Sequence, residues 1–252
     1  MGRAFTVTES NIADNRSERS HSLICKLVAE FIGDLIFVFV GSSQALANNG
    51  VINAAFAHGI TIFVLVAALG HISGGHFNPA VTLAIALCGK IKIVHAVLYA
   101  LAQLLGGFVG SLIVRAMVTQ SQFNTILGGA TLVGDDYHWY QGFIAEIMST
   151  FFLAQSVLMT AVDTSSNILA PLAIGFTLTL DIFAVGPISG ASMNPARSFG
   201  PAITSTIFGI GHSNSYIWRH HYIYWAGPVI GAAIAAFLFR TFFRRSSKRL
   251  VP

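Results

Sequence analysis

Two tripeptides of one composition, Asn78-Pro79-Ala80 and Asn194-Pro195-Ala196, each follow a Gly- or Ser-containing stretch. Each opens a moderately apolar segment of about ten residues, Asn78 to Leu87 and Asn194 to Ile203. Asparagine is a strong N-cap and proline suits the first helical turn, so each tripeptide predicts a helix start. A helix start presents unpaired N–H groups and the positive end of the helix dipole, which disfavour a cation or a proton. The side-chain amides of Asn78 and Asn194 add donors. The carbonyls of Gly74, Gly75, His76, Phe77, Gly190, Ser192 and Met193, left free by extended backbone, add acceptors. That chemistry suits the passage of small neutral hydrogen-bonding solutes, with no covalent bond made or broken.

The elements that position these groups follow from a repeat. Ser73-Gly74-Gly75-His76-Phe77-Asn78-Pro79-Ala80-Val81 recurs as Ser189-Gly190-Ala191-Ser192-Met193-Asn194-Pro195-Ala196-Arg197 at an offset of 116. The same offset carries Ala29-Glu30 onto Ala145-Glu146, Gly59 onto Gly175 and Thr61 onto Thr177. Six apolar stretches are long enough, or nearly so, to cross a roughly 30 Å hydrocarbon core as helices. They are approximately Leu27 to Leu46, Ala54 to Leu69, Ile93 to Val118, Phe143 to Val162, Ile168 to Val185 and Ile223 to Phe243. Three spans per half invert the second copy in the membrane. The two short segments, each about 15 Å or half the core, then enter from opposite faces and meet near the midplane. The expected organisation is a tail at 1–22, a channel domain at 23–243 with halves at about 23–118 and 142–243, an extramembrane connection at 119–141, and a basic tail at 244–252.

Composition agrees with a membrane solvent. Charged residues are 10% of the 252, hydrophobic residues 54%, and mean hydropathy is +0.69. Lys and Arg gather at the chain ends and at Lys90 and Lys92, on the face shared by the termini, with only Arg115 and Arg219 opposite and Arg197 set apart. That asymmetry predicts cytoplasmic termini. It also accounts for a pI near 9.3 without a nucleic-acid face. Cys25 and Cys88 form neither a disulfide framework nor a metal set. Residues 1–22 read as a disordered cytoplasmic tail, in which a loose myristoylation pattern at Gly2 and a sequon at Asn15 are expected to be unused. The run from Arg244 to Arg249 reads as a positive-inside anchor ahead of a kinase or anionic-lipid site.

The paired Asn-Pro-Ala motifs, with Ala29-Glu30-Phe31, Gly70-His71-Ile72-Ser73-Gly74 and Asn194 to Pro201, resemble the aquaporin family over about residues 24–243. The resemblance implies an all-α hourglass of six membrane helices and two re-entrant half-helices, assembled as a homotetramer with one pore per subunit. Counted from the asparagines, it places a selectivity filter at His58, Ile182, Ala191 and Arg197. His58 and Ile182 with their flanking runs look like the aquaporin-8 branch and the related plant vacuolar channels, a branch associated with water, ammonia and hydrogen peroxide. The implied function is a passive channel for these solutes that excludes protons and ions. No enzyme activity and no cofactor are expected. The host would be the plasma membrane, with intracellular or mitochondrial membranes as alternatives.

Glu30 and Glu146, acids at repeat-equivalent positions, are expected to brace the half-helix loops rather than relay protons. Asp34 departs from the threonine or small residue common in the family and has no assigned role, and Asp181 is expected to bond a neighbouring helix. His71 and His76 read as loop packing, since no carboxylate or cysteine completes a metal site with them and His58. His212, His220 and His221 read as solvated loop residues, and Trp218, Tyr222, Tyr224 and Trp225 as an interfacial belt. Two competing functions stay open: a proton-coupled transporter using Glu30, Glu146 or Asp181, and a glycerol facilitator. Ser198, where that subgroup carries Asp, argues against the second.

Overall fold

The computed structural model describes residues 21–164, 167–209 and 213–244. Most of the two expected tails, the myristoylation pattern, the sequon at Asn15 and His212 lie outside the described residues. The helices in chain order are α1 (Leu23–Ser43), α2 (Gly50–Ser73), α3 (Pro79–Leu87), α4 (Ile93–Met117), α5 (Gln120–Thr125), α6 (Trp139–Val157), α7 (Ala170–Ser189), α8 (Pro195–Phe208), α9 (Ser213–Trp218) and α10 (Ile223–Leu238). Single π-turns continue α6 to Val162 and α10 to Phe243.

Five stretches are long and apolar enough to cross a membrane: α2, α4, α7, α6 with its π-turn, and Ser215–Phe243. The sixth span, α1, has 21 residues, about 30 Å at the helical rise, and carries Lys26, Glu30 and Asp34. Both acids are fully buried in protein, so lipid meets neither. The surface is apolar: Ile24, Ile60, Val64, Leu101, Leu105 and Phe176 stand exposed along the spans. The polar residues lie inside, an arrangement suited to lipid as solvent.

The half-helices α3 and α8 have 9 and 14 residues. The second runs to Phe208, five residues past the expected end at Ile203. The added turns carry the Thr204-Ser205-Thr206 cluster, in which each hydroxyl finds an internal partner. Thr206 Oγ1 donates to Ala202 O, Ser205 Oγ donates to Leu127 O, and Thr204 Oγ1 pairs with Ser111 Oγ.

The halves pack as mates. α1 lies on α4, α6 lies on α10, and α2 crosses α7 between the halves. At that crossing a Cβ on Gly59 would sit 1.8 Å from Thr179 Oγ1 and 2.6 Å from Gly175 O, and a Cβ on Gly175 would sit 2.6 Å from Gly59 O. Repeat-equivalent glycines thus let two backbones touch near the axis relating the halves. Gly59→Leu should therefore abolish the folded protein, because overpacking against backbone costs roughly 1–3 kcal/mol or more. Gly70→Ala, whose new Cβ meets nothing closer than 3.6 Å, should be tolerated. Yield of monodisperse protein in detergent and its melting temperature measure both.

Candidate functional site

Unwound backbone at membrane depth must be satisfied by protein, and two buried glutamates do this in parallel. Glu30 Oε1 accepts from Ser73 Oγ (2.6 Å) and His76 N (3.0 Å), and its Oε2 from Phe77 N (2.7 Å). Glu146 Oε1 accepts from Ser189 Oγ (2.7 Å) and Ser192 N (2.8 Å), and its Oε2 from Met193 N (2.7 Å). The hydroxyls of Ser73 and Ser189 in turn accept from Gly75 N and Ala191 N. Each loop is wound so tightly that repeat mates share positive φ: Gly74 and Gly190, Gly75 and Ala191, Phe77 and Met193. Three of these, Phe77, Ala191 and Met193, hold side chains in a region that favours glycine, a strain the glutamate contacts must offset.

Asn78 and Asn194 then lock across the repeat. Each caps its own half-helix, Asn78 Oδ1 accepting from Ala80 N and Asn194 Oδ1 from Ala196 N and Arg197 N, while Pro79 and Pro195 take the first helical positions. Asn78 Nδ2 donates to Met193 O and Asn194 Nδ2 to Phe77 O, both at 2.8 Å. The carbonyls of Phe77 and Met193 therefore hold the opposite asparagine. Those of Gly74, Gly75, His76, Gly190 and Ser192 accept no hydrogen bond from other described residues. Beside the asparagines the lumen leaves about 20 Å³ for the centre of a water molecule, room for about one water.

Toward the other side the lumen widens into an open cavity of about 610 Å³, walled in part by His58, Ile182, Gly190 and Arg197. Ala191 is buried beside this wall. His58 Nδ1 lies 2.8 Å from Ala54 O. A carbonyl only accepts, so Nδ1 carries the proton and Nε2 keeps an acceptor lone pair. That nitrogen has no partner among the described residues. It faces Gly41, where a Cβ would come within 2.4 Å. Arg197 is 8% exposed, and among the described residues its side chain is held by one bond, Nη1 to Gly129 O at 2.7 Å.

The connection between the halves takes part in this site: Gly129, Ala130, Thr131 and Leu132 line the outer cavity. Thr131 Oγ1 also meets Ser198 Oγ, and Gly134 N donates to Ile188 O. Tyr224 is not in an interfacial belt. It is 1% exposed, and its hydroxyl donates to Ser189 O at 2.8 Å, as Tyr99 donates to Ser73 O at 2.9 Å. This tyrosine pair does not share the offset of 116 but stands 125 apart, the second half having a longer segment after its half-helix. Gln103 Nε2 adds a donor to Glu30 Oε2, whereas the residue 125 further on is Pro228. His221 is buried with its ring 4.5 Å from Trp218, so it is not a solvated loop residue. His76 packs its Nδ1 on Thr82 Oγ1, and His71 lies exposed near His21. Asp181 is buried with Oδ2 unpartnered among the described residues, so no bond from that oxygen to a neighbouring helix is present. Among the described residues no group of histidine, cysteine and carboxylate side chains could hold a metal ion.

Tyr224→Phe should remove one buried hydrogen bond and lower stability by about 1 kcal/mol. Glu146→Ala leaves one hydroxyl and two amides without their acceptor, at roughly 1–3 kcal/mol each. It should yield little stable protein. Thermal unfolding in detergent ranks the two, and equal losses would contradict the bracing geometry.

Comparison with known proteins agrees with this construction. The family described as Major intrinsic protein matches residues 17–239. Rat (Rattus norvegicus) Aquaporin-8 is 36% identical over 250 residues, 96% of this chain and 91% of that protein. Aquaporin TIP1-2 of Musa acuminata is 39% identical over 237 residues, 88% of each. The fold is shared with the X-ray structure of the aquaglyceroporin from Plasmodium falciparum at a TM-score of 0.72 and 22% identity, covering 88% of this chain and 97% of that one. The chain belongs to the major intrinsic protein family, the aquaporins.

Proposed function

We propose that this protein is a passive pore for water that also conducts ammonia and hydrogen peroxide and excludes protons and ions. The observation that carries the reading is the outer cavity wall, which is lined by an arginine, a histidine and the aliphatic Ile182. Among the described residues Arg197 is tethered by one carbonyl, which leaves its remaining N–H groups to hold a passing oxygen or nitrogen lone pair. His58 Nε2, buried against Gly41 on the same cavity wall and without a partner among the described residues, keeps the acceptor lone pair that we assign to a solute N–H or O–H. Ile182 adds bulk without a third polar contact, which favours ammonia and peroxide beside water. The fixed charge of Arg197, and the two helix N-termini deeper in, raise the barrier to ammonium, sodium and hydronium. The free carbonyls from Gly74 to His76 and at Gly190 and Ser192 provide acceptors along the file.

The Lys and Arg distribution supports cytoplasmic termini, and resemblance supports a homotetramer in the plasma membrane or an intracellular membrane. Proteoliposomes test the conduction reading. Osmotic shrinkage reads water, and internal alkalinisation reads ammonia. Both fluxes should exceed those of empty vesicles. His58→Phe combined with Ile182→His should suppress ammonia several-fold more than water. A wild type that moves water alone refutes the broad filter, and glycerol flux equal to water flux would point to a glycerol facilitator instead.

A further inference from the structure

Asp34 lies on α1 one turn after Glu30 and is fully buried. Glu30 uses both oxygens on the loop and on Gln103. Asp34 accepts no backbone hydrogen bond among the described residues. Its Oδ1 lies 3.3 Å from Asn194 Nδ2, and its Oδ2 is buried with no partner. A carboxyl at membrane depth is costly, and an open oxygen gives it no bracing role that would account for the cost.

The asparagine amides show what the group does instead. Each amide carries two N–H donors. On Asn78 one is held by Met193 O, and no described residue takes the second. On Asn194 Phe77 O takes one and Asp34 Oδ1 takes the other. The repeat mate of Asp34 is Thr150, whose Oγ1 bonds nothing among the described residues, so Asn78 meets no counterpart. The two halves, matched in their glutamates, serines and tyrosines, differ here.

We propose that Asp34 is a specificity-determining residue of the pore centre: by occupying the second N–H of Asn194, it leaves the lumen one side-chain donor, that of Asn78. The lone-pair count then decides which solute gains. Ammonia has one lone pair and is satisfied by a single donor. Water has two and crosses the centre with one unmet. A single-donor centre therefore lowers water conduction relative to ammonia conduction. The inference rests on the conduction reading above for its readout.

The test compares Asp34→Leu, Asp34→Ala and Asp34→Asn with the wild type in proteoliposomes, with water and ammonia fluxes normalised to channel number. Leu and Ala remove the acceptor and free the second donor, and Asn keeps an acceptor oxygen. The water-to-ammonia ratio should rise about threefold for Leu and Ala, the worth of one weak hydrogen bond, and stay at the wild-type value for Asn. Equal ratios in all four proteins overturn the inference. So does an Asn variant that shifts with Leu and Ala, which would assign the effect to carboxyl charge. Should Leu fail to fold, Ala and Asn decide. If the wild type passes no ammonia, the conduction reading fails separately, and water flux alone still judges Asp34: a threefold rise for Ala with none for Asn upholds it, and no rise overturns it.

Discussion

Backbone that leaves a helix inside a bilayer has no water to bond, and two carboxylates answer that constraint for the whole molecule. Glu30 and Glu146 each gather a serine hydroxyl and two consecutive-loop amides. With those amides held, the loops can wind through positive φ, the asparagines can reach across to the opposite loop, and the half-helices can begin at the midplane. The tyrosines from α4 and α10 close each loop from behind through Ser73 O and Ser189 O. An acid ordinarily expelled from lipid is here the anchor of a passage through it.

What the sequence makes legible follows how locally each feature is written. The helix starts at Pro79 and Pro195 and the two glutamates are encoded by residue type and by a constant offset of 116, whereas His58 and Ile182 do not share that offset and are singled out only by resemblance to the family. Contacts that depend on chain length between elements were hidden. Tyr99 and Tyr224 stand 125 apart, and Tyr224 sits among aromatics that look interfacial by composition. The last turns of α8 are less legible, because Thr204, Ser205 and Thr206 end the apolar run at Ile203 while Thr204 and Ser205 find their partners, Ser111 and Leu127, far away in the chain. Gly129 carries no sequence signal for the carbonyl it offers Arg197, since any residue has a carbonyl.

The departures from symmetry are as instructive as the symmetry. Gln103 supports Glu30 where the second half has Pro228, and His76 with Thr82 stands where Ser192 with Ser198 stands in the other loop. Shared backbone demands keep the glutamate, serine and asparagine alike in both halves. The surrounding side chains are free to differ, because the two halves are inverted and only the second supplies an arginine, Arg197, to the outer cavity wall.

The bond from Gly129 O to the guanidinium of Arg197 ties the linker between the halves to the wall of the outer cavity. Chemically, the pore is therefore not the sum of two copies. A chain severed between residues 126 and 134 keeps both half-helices and both glutamate clusters but loses the strap that aims the arginine. Bracing of the half-helix loops and the aim of this guanidinium reside in separate stretches of one polypeptide, so the wall of the outer cavity can change through the connection while the architecture beneath it stays fixed.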